Sequence, residues 1–337
     1  MESMKIVVRA PNWIGDSVLA LPALYNLKKN FPDSQIWIAA RDWVKDLFMI
    51  GDLCEGTISL RRQNGMKALL ESSRTLKELR FDLGILFTNS FASALIFYLA
   101  RIPERWGYKK DGRGFLLTKR IPVQKKKDRL HQAHYYLDLL YQSGLKNLSE
   151  ELAFPLDQNE KIRTGEWLKS LNINPDDLVI IINPGAYYGS AKRWPVSKYA
   201  DLASLLQKKI AAQILIIGSS EELSLAEAIS SLMDKKPFIL AGQTSLSRLV
   251  SLISFADLFI TNDSGPMHLA NALKVPAIVL FGPTDPNRTG PYQQPSSVIH
   301  KGAPCWPCSY RECPFDHRCM LDISPLEVFQ SCQKYLP

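Results

Sequence analysis

The sequence lacks any apolar run long enough to cross a lipid bilayer. The longest run, residues 91–100, is far shorter than the ~20 residues that a membrane-spanning helix requires. The first residues, MESMK, contain neither a basic region nor a cleavage motif of small residues, and they lead directly into an apolar strand pattern at residues 6–8. We therefore expect no signal peptide, no spanning helix and a cytoplasmic location.

Several common catalytic and nucleotide-binding motifs are also missing. No G-x-G-x-x-G follows the first strand pattern, which disfavours a nicotinamide-dependent oxidoreductase. No G-x-x-x-x-G-K-[ST] is present, which disfavours a P-loop ATPase or kinase, and no G-x-S-x-G marks a hydrolase. The chain has no repeat of fixed short period and no low-complexity segment, so a solenoid or a disordered protein is not expected.

Strand-like apolar runs alternate with helix-like amphipathic segments in both halves of the chain. Such alternation is typical of parallel sheets that helices cover on both faces, and 337 residues exceed the usual size of a single core. We predict an α/β protein with two doubly wound domains, at residues 1–165 and 166–322. A closing helix at residues 323–337 is expected to pack back on the N-terminal domain.

Two strand-to-helix junctions in the second half are rich in Gly, Ser and backbone donors. They are residues 183–195 (NPGAYYGSAKRWP) and residues 261–268 (TNDSGPMH). Ligands bind beyond the carboxyl ends of parallel strands, and free N–H groups at helix N-termini stabilise anions. The junctions therefore predict a diphosphate site. Lys192 is its candidate cation, and the alternative for this residue is an ordinary solvated lysine.

Three further polar residues at strand ends each have two interpretations. Asp16, in residues 11–17 (PNWIGDS), is either the N-cap of the next helix or a general base. Glu222 is either an ordinary first-turn residue or an acceptor of hydrogen bonds from ribose hydroxyls. His268 either contacts a phosphate or sugar, or is structural. The local sequence does not separate these alternatives.

Positive charge is concentrated between residues 101 and 130, which hold eleven Lys or Arg against three acidic residues. Such a stretch suits a polyanion or an anionic membrane leaflet, and the alternative is a solvated basic loop. Nucleic acid is another polyanion, but no helix-turn-helix, zinc finger or aromatic RNA-binding motif accompanies the charge. We therefore expect no nucleic-acid partner.

Four of the six cysteines form the late pattern C-x2-C-x4-C-x5-C. They are Cys305, Cys308, Cys313 and Cys319. Four thiolates within fifteen residues could hold a tetrahedral structural zinc or iron. The spacing departs from the common paired C-x2-C arrangement, which favours the alternative of free thiols that pack a Pro-rich loop. Cys54 and Cys332 have the pattern of ordinary core residues.

The ordered motifs resemble those of a known family. They are NWIGD (12–16), NPGA (183–186), AKRWP (191–195), TNDSGPMH (261–268) and GPT (282–284). Together they resemble the ADP-heptose:lipopolysaccharide heptosyltransferases of glycosyltransferase family nine, over nearly the whole chain. Residues 89–94 (NSFASA) are similar to the acceptor-side segment of the same enzymes.

The resemblance implies a GT-B architecture, with two facing Rossmann-like domains and the active site in the cleft between them. The N-terminal domain would hold a phosphorylated Kdo-lipid A acceptor at the inner leaflet, and the C-terminal domain would hold ADP-heptose. The implied reaction is inverting transfer of L-glycero-D-manno-heptose to the inner-core heptose, with no cofactor required. Other acceptors (the first Kdo or the outer core), a nucleotide-sugar 2-epimerase and a non-catalytic nucleotide binder stay open as alternatives.

The resemblance also implies roles for individual residues. Asp16 would deprotonate the acceptor hydroxyl, and Lys192 would stabilise charge on the leaving ADP. The implied donor-side residues are Gly185, Tyr187, Tyr188, Glu222, Thr244, Asp263, Ser264, Gly265 and His268. The implied acceptor-side residues are Asn12, Asn89, Ser90, Lys109 and Arg113. Tyr187 and Tyr188 stand where related enzymes often have Thr or another small residue.

Overall fold

The computed structural model describes residues 3–60, 65–123, 130–174 and 176–336. The chain forms two compact units, Met1–Ala153 and Phe154–Pro337. Each unit is built on one six-stranded sheet in which every strand pair is parallel. The predicted α/β class with two doubly wound domains is confirmed.

The first unit has its strands in the order β3-β2-β1-β4-β5-β6. The strands are β1 (Lys5–Arg9), β2 (Gln35–Ala40), β3 (Gly56–Ser59), β4 (Leu83–Leu86), β5 (Glu104–Tyr108) and β6 (Lys119–Ile121). The α-helices are α1 (Ile14–Leu19), α2 (Leu21–Asn30), α3 (Asp42–Lys45), α4 (Met66–Leu79), α5 (Phe91–Leu99) and α6 (Gln132–Gln142).

The second unit repeats this arrangement in the order β12-β11-β10-β7-β8-β9. The strands are β7 (Val179–Asn183), β8 (Gln213–Ile216), β9 (Phe238–Ile239), β10 (Leu258–Asn262), β11 (Ala277–Phe281) and β12 (Ser296–His300). The α-helices are α7 (Gln158–Ser170), α8 (Val196–Ile210), α9 (Leu223–Ser231), α10 (Leu246–Ile253), α11 (Gly265–Ala272), α12 (Pro286–Thr289), α13 (Arg318–Leu321) and α14 (Pro325–Cys332).

The central strands of the second sheet are apolar up to their carboxyl ends because both faces of the sheet are covered; β7 ends in Asn183 and β10 in Thr261 and Asn262. Strands β7, β10 and β11 are buried at every position, and Ile182 of β7 lies in register with Ile260 of β10. Each fully buried side chain of this kind contributes about 1.5–3 kcal/mol relative to an exposed one. Continuous apolar runs in the sequence therefore mark the sheet centre.

Each sheet has one point at which the direction of strand addition reverses. In the first sheet this topological switch point lies between β1 and β4, and in the second it lies between β7 and β10. Loops that leave neighbouring strands in opposite directions open a crevice at the carboxyl ends of those strands. Ligand contacts are therefore expected in the segments that follow β1, β4, β7 and β10.

The boundary between the units differs from the one expected at residues 165/166. That position lies inside α7, whose N-cap Asp157 accepts hydrogen bonds from the backbone N–H of Asn159 (2.9 Å) and Glu160 (3.2 Å). Glu160 forms an ion pair with Arg248 of α10, so α7 belongs to the second unit. The polar composition of α7 is that of a largely solvent-facing helix, of which Glu160, Thr164 and Leu168 are buried.

The C-terminal helix contributes to the core of the second unit. Helix α14 begins after Ser324, whose hydroxyl accepts a hydrogen bond from the Glu327 N–H (3.2 Å). Its apolar side chains Val328, Phe329 and Cys332 are buried in the same core cluster as Tyr199 of α8. The packing of this helix on the N-terminal domain stays a prediction.

The basic stretch is only partly described. Its described part forms β5 and β6, which a short 3-10 turn at Arg113–Leu116 connects. Residues 124–129, which include Lys125, Lys126, Lys127 and Arg129, lie outside the described residues. In the part of the chain that is described, no helix is both long and apolar enough to span a membrane.

Candidate functional site

Asp16 lies directly beyond the carboxyl end of β1, at the switch point of the first sheet. Helix α1 begins at Ile14 with Trp13 as its N-cap, so Asp16 is the third helical residue and the N-cap alternative is wrong. The side chain is half-buried. Burial raises the pKa of Tyr136 well above its ordinary value, and the Asp16 carboxylate raises it further. A carboxylate in this position has the chemistry of a general base.

A buried arginine, which the sequence patterns did not single out, fixes the loop that carries Asp16. Arg9 ends β1 and is buried; its Nη2 donates to Asn12 Oδ1 (2.5 Å) and its Nη1 to the Ala39 carbonyl (3.3 Å). Burial, and to a lesser extent the nearby charge of Arg41, lowers the pKa of Arg9 to about 9. The side chain of Asn12, expected at the acceptor, is therefore held by Arg9.

Asn89, another expected acceptor residue, follows β4 on the other side of the same switch point. Its Nδ2 donates to the Tyr135 hydroxyl (2.9 Å), and Arg113 Nη2 donates to its Oδ1 (3.3 Å). Arg113 is fully buried and also donates to the carbonyls of Tyr108 (3.0 Å) and Thr88. Arg113 is thus misassigned as a direct acceptor contact, since its guanidinium is used inside the fold to hold Asn89.

Ser90 and Lys109 lie at the same edge of the sheet. The Ser90 hydroxyl accepts a hydrogen bond from the Ser93 N–H (3.3 Å) and so caps α5. Lys109 follows β5 and is exposed. The five expected acceptor residues therefore separate into an exposed cation, an exposed helix cap and three side chains in internal hydrogen bonds.

The two junctions that are expected to hold the donor meet at the switch point of the second sheet. Asn183 of β7 donates from Nδ2 to the Ser264 hydroxyl (2.8 Å). Asn262 of β10 donates from Nδ2 to the Pro184 carbonyl (2.7 Å), and its Oδ1 accepts from the Trp194 N–H (3.2 Å). Both asparagines are buried, so these bonds hold the two loops together in a fixed arrangement.

Lys192 is not a solvated lysine. Its ammonium forms an ion pair with the Asp263 carboxylate, and the two side chains are 11% and 5% exposed. Thr284, which follows β11, donates from its hydroxyl to the same Asp263 oxygen (2.5 Å). The loops that follow β7, β10 and β11 thus meet at the Asp263 carboxylate. This carboxylate fixes the position of the Lys192 ammonium.

The N-terminus of α11 lies next to this ion pair. Ser264 is the N-cap and makes no side-chain cap bond to the helix, while Gly265 is the first helical residue. Gly265 has no side chain to cover its own N–H, which suits an anion, whereas Pro266 has no N–H to offer. His268, one turn into the helix, is buried.

Glu222 both caps a helix and borders the loop after β7. Its Oε2 accepts from the Ser219 N–H (2.9 Å) in a capping box. A Cβ on Gly185 would lie 2.0 Å from Glu222 Oε1, so the carboxylate rests on the glycine. The two interpretations of Glu222, a helix-capping residue and an acceptor of ribose hydrogen bonds, are therefore compatible. Capping uses Oε2, and Oε1 lies at the edge of the loop that follows β7.

Thr244 lies on the loop that follows β9 and is half-buried. This loop is joined to the loop after β8 by a hydrogen bond from the Gly242 N–H to the Gly218 carbonyl (2.9 Å). Thr244 and Glu222 therefore lie on neighbouring loops at one edge of the sheet.

Tyr188 faces the cysteine-bearing segment and not a small polar pocket. Its hydroxyl donates to the Ser309 carbonyl (2.6 Å). The Lys192 ammonium lies 4.8 Å from the centre of its ring, and the Arg311 guanidinium lies 5.4 Å from it, distances at which cations are attracted to aromatic rings. Tyr187 is largely exposed. Arg311 is a second cation at this loop that the motifs did not indicate.

The four late cysteines line one cavity of about 610 Å³ that also contacts Ala191 and Pro283. All six cysteines of the chain are free. In the ranges that the structure describes, no three His, Cys, Asp or Glu side chains are arranged to hold a metal ion. The candidate structural metal is therefore unsupported.

Comparison with known proteins decides the family. Residues 69–318 match the model of glycosyltransferase family 9 (heptosyltransferase). The chain belongs to this family. Lipooligosaccharide heptosyltransferase 2 of Campylobacter jejuni (strain NCTC 11168) is 31% identical, over 99% of this chain and 98% of that protein. Lipopolysaccharide heptosyltransferase 2 of Escherichia coli K12 is also 31% identical, over 88% of both chains.

Solved structures agree with this assignment. The E. coli ADP-heptose heptosyltransferase II structure is 28% identical, with a TM-score of 0.84 and 98% of both chains covered. The predicted resemblance and the GT-B class are confirmed, and the protein is a glycosyltransferase of the heptosyltransferase family. This assignment favours a transferase over the 2-epimerase and over a non-catalytic binder.

Gly185, in the loop that follows β7, should accept a side chain only at a cost in stability, because it adjoins the Glu222 carboxylate. In Gly185→Ala the new Cβ overlaps the Glu222 carboxylate, which must swing away and give up the hydrogen bond that it accepts from the Ser219 N–H. Loss of one such bond costs about 0.5–1.5 kcal/mol. We expect a lower thermal midpoint for Gly185→Ala, and a smaller loss when the same change is made in a Glu222→Ala background. Thermal unfolding of the four proteins of this cycle checks the coupling. Equal losses in both backgrounds would show that the overlap is relieved elsewhere.

The cysteines of this heptosyltransferase should differ sharply in reactivity. Burial raises the pKa of Cys319 to about 11 and that of Cys332 to about 12, whereas Cys305 is exposed. Because the thiolate is the reactive form, a raised pKa keeps a thiol protonated and slow to react at pH 7.5. Mass spectrometry after iodoacetamide treatment should find Cys305 modified first and Cys332 last. Early modification of Cys332 would contradict the buried position of α14.

Proposed function

We propose that this heptosyltransferase moves L-glycero-D-manno-heptose from ADP-heptose to the inner-core heptose of Kdo-lipid A, with inversion at the anomeric carbon. The observation that carries the proposal is the arrangement at the second switch point. There, one buried ammonium and the N-terminus of α11 adjoin two loops that asparagines hold together. Such a concave set of donors suits the diphosphate of a nucleotide sugar. The ~30% identity to heptosyltransferases 2 supports the choice of acceptor.

In the proposed mechanism, Asp16 accepts the proton of the acceptor hydroxyl as that oxygen attacks the anomeric carbon. The bond from the anomeric carbon to the ADP oxygen breaks in the same step, so no covalent enzyme intermediate is needed. Arg9 keeps the loop that bears Asp16 in place through Asn12, and a base held by a rigid loop loses little entropy in the transition state.

Lys192 is proposed to stabilise the negative charge that develops on the departing ADP. A preorganised cation in a water-poor site is worth far more to the transition state than one in bulk water. In the absence of donor its charge is balanced by Asp263, which Thr284 holds by a hydrogen bond. We propose that the backbone N–H groups at Gly265 and the loop at Gly185 contact the diphosphate, and that Glu222 and Thr244 contact the ribose and adenine.

No cofactor is assigned to the chemistry of this proposal. The charge of the leaving diphosphate is met by Lys192 and by the helix N-terminus, and proton transfer is assigned to Asp16. We propose that the protein works at the cytoplasmic face of the inner membrane as a peripheral enzyme, because its proposed acceptor is a phosphorylated lipid. The excess of cations between residues 101 and 130 supports contact with an anionic leaflet.

The decisive experiment incubates the purified protein with ADP-heptose, with and without heptosylated Kdo-lipid A. We expect ADP release and a heavier acceptor only when both substrates are present. Release with Kdo-lipid A that lacks heptose would move the acceptor to the first Kdo, and transfer only to a longer core would move it outward. Conversion of the donor without acceptor would indicate an epimerase, and absence of any donor consumption would refute the proposed reaction.

Replacement of the lysines at positions 125–127, which lie outside the described residues, tests the proposed membrane contact. Each cation near an anionic surface contributes about 1 kcal/mol. We therefore expect replacement of all three by Gln to weaken binding to vesicles of anionic lipid and acceptor by about 10²-fold. Sedimentation with vesicles measures this, and the matched control replaces Lys208, Lys209 and Lys235 by Gln. Equal affinity of the two triple variants would count against the assignment.

A further inference from the structure

Two tryptophans are exposed at the edge of the first sheet that carries Asp16. Trp13 is 48% exposed and follows β1, and Trp43 is 42% exposed and follows the neighbouring strand β2. Their ring centres are 6.5 Å apart and their planes are tilted by 40°. Trp13 precedes Asp16 by three residues, so the pair adjoins the proposed base.

The tryptophan pair is anchored from inside the fold. Trp43 Nε1 donates to the Asn12 carbonyl (2.7 Å), and the side chain of Asn12 accepts from Arg9, which is only 4% exposed. The polar end of the Trp43 indole is therefore satisfied within the protein, while much of its apolar surface is left at the edge. Holding an indole in this way reduces the entropy that is lost when a ligand stacks on it.

We infer that Trp13 and Trp43 form a stacking platform for a pyranose ring of the acceptor; this inference rests on the proposed function. The C–H face of a sugar ring is apolar and packs on an indole, while its hydroxyls stay free for hydrogen bonds. The platform would select a carbohydrate beside the reacting hydroxyl, separately from the charges that attract the lipid phosphates.

The test uses an acceptor whose acyl chains have been removed, so that only the sugar part is present. Trp43→Ala should raise the KM for this acceptor at least 10-fold and leave the KM for ADP-heptose within twofold, and Trp43→Phe should recover most of the loss. Phe115→Ala is the control, since Phe115 is 66% exposed and follows β5 in the same sheet without such an anchor. It should leave both KM values unchanged.

An unchanged acceptor KM in Trp43→Ala, or an equal rise in Phe115→Ala, would overturn the platform. Equilibrium binding of the deacylated acceptor to the same variants separates this failure from failure of the proposed function. If the unmodified protein transfers no heptose, the reaction is refuted, while weaker acceptor binding by Trp43→Ala would still support the platform.

A second, independent observation concerns the backbone that carries Lys192. Ala191, the preceding residue, is held from two sides: its N–H donates to the Arg311 carbonyl (3.0 Å), and its carbonyl lies 2.8 Å from His317 Nε2. Because a carbonyl only accepts, Nε2 carries the hydrogen and donates it. A Cβ on Gly189 would lie 2.1 Å from the Arg311 carbonyl oxygen, so the loop and the cysteine-bearing segment are in close contact.

The backbone of His317 has a φ of 56°, in the left-handed region that favours glycine over residues with a Cβ. We propose that His317 is a positioning residue, which acts through the Ala191 carbonyl to hold the Lys192 ammonium at the donor diphosphate.

His317→Gly separates positioning from stability, because it removes the side chain and also relieves the backbone. We expect ADP affinity to fall about 10-fold, the acceptor KM to stay within twofold, and the thermal midpoint to change by no more than about 2 °C. His317→Gln, whose Nε2 also donates, should restore most of the ADP affinity. The proposal is overturned if His317→Gly binds ADP like the unmodified protein, or if Gln and Gly variants are equally impaired. Calorimetric ADP binding needs no acceptor, so it tests His317 even if the transfer reaction proves different.

Discussion

Asp16→Asn should lower kcat for heptose transfer by about 10²–10⁴-fold, the range that a positioned general base contributes, and Asp16→Ala should abolish transfer. The amide keeps the shape and the helix position of the carboxylate but cannot accept the proton of the acceptor hydroxyl. Affinity for ADP-heptose should change little, because the proposed donor contacts belong to the second sheet. Single-turnover transfer and calorimetric donor binding measure the two quantities separately.

The matched control for this prediction is Asp42→Asn. Asp42 is an acidic residue in the first turn of α3, which follows β2 in the same sheet, so the chemical change and the kind of position are the same. Its carboxylate accepts from the Ser59 hydroxyl (2.5 Å), which gives it a local structural role. We expect Asp42→Asn to keep kcat within a fewfold. An Asp16→Asn enzyme with near-normal kcat would refute the role of Asp16 as base.

The sequence predicts the centre of each sheet far better than its edges. Strand β11 is apolar throughout, and β7 and β10 are apolar until their polar last residues, because parallel strands are buried on both faces. Edge strands have one neighbour and partly exposed side chains, so β6 (KRI) and β12 (SSVIH) lack that signal. β5 (ERWGY), next to β6, begins with two charged residues and lies within the basic stretch, so its sequence does not show the apolar run of a buried strand.

The candidate site shows the same division. The positions of the motifs at strand ends predicted Asp16, Lys192 and Asp263 as site residues, because the carboxyl ends of parallel strands lie at one edge of the sheet. The ion pair itself was not predictable, since Lys192 and Asp263 are 71 positions apart in the chain. Arg9 was missed because it ends an apolar strand, although a charged residue in that place is itself a signal for a buried, paired group.

Lys192→Met should damage this heptosyltransferase in two separable ways. Loss of the ammonium removes charge stabilisation from the departing ADP, for which we expect at least a 10²-fold loss in kcat/KM for ADP-heptose. It also leaves the Asp263 carboxylate buried without its partner, and breaking a buried pair in this way costs about 3–5 kcal/mol of stability. Steady-state kinetics and denaturant unfolding of the same preparation measure the two losses.

The double variant Lys192→Met/Asp263→Asn distinguishes these effects. With the carboxylate replaced by an amide, no uncompensated charge stays buried, and Thr284 can still hydrogen-bond to the side-chain oxygen. Stability should therefore return most of the way to that of the unmodified protein. Activity should not return, because the diphosphate still lacks its cation. If stability and activity recover together, Lys192 serves mainly to neutralise Asp263, and the charge on the leaving group must be met elsewhere, with Arg311 the nearest other cation on the same aromatic ring.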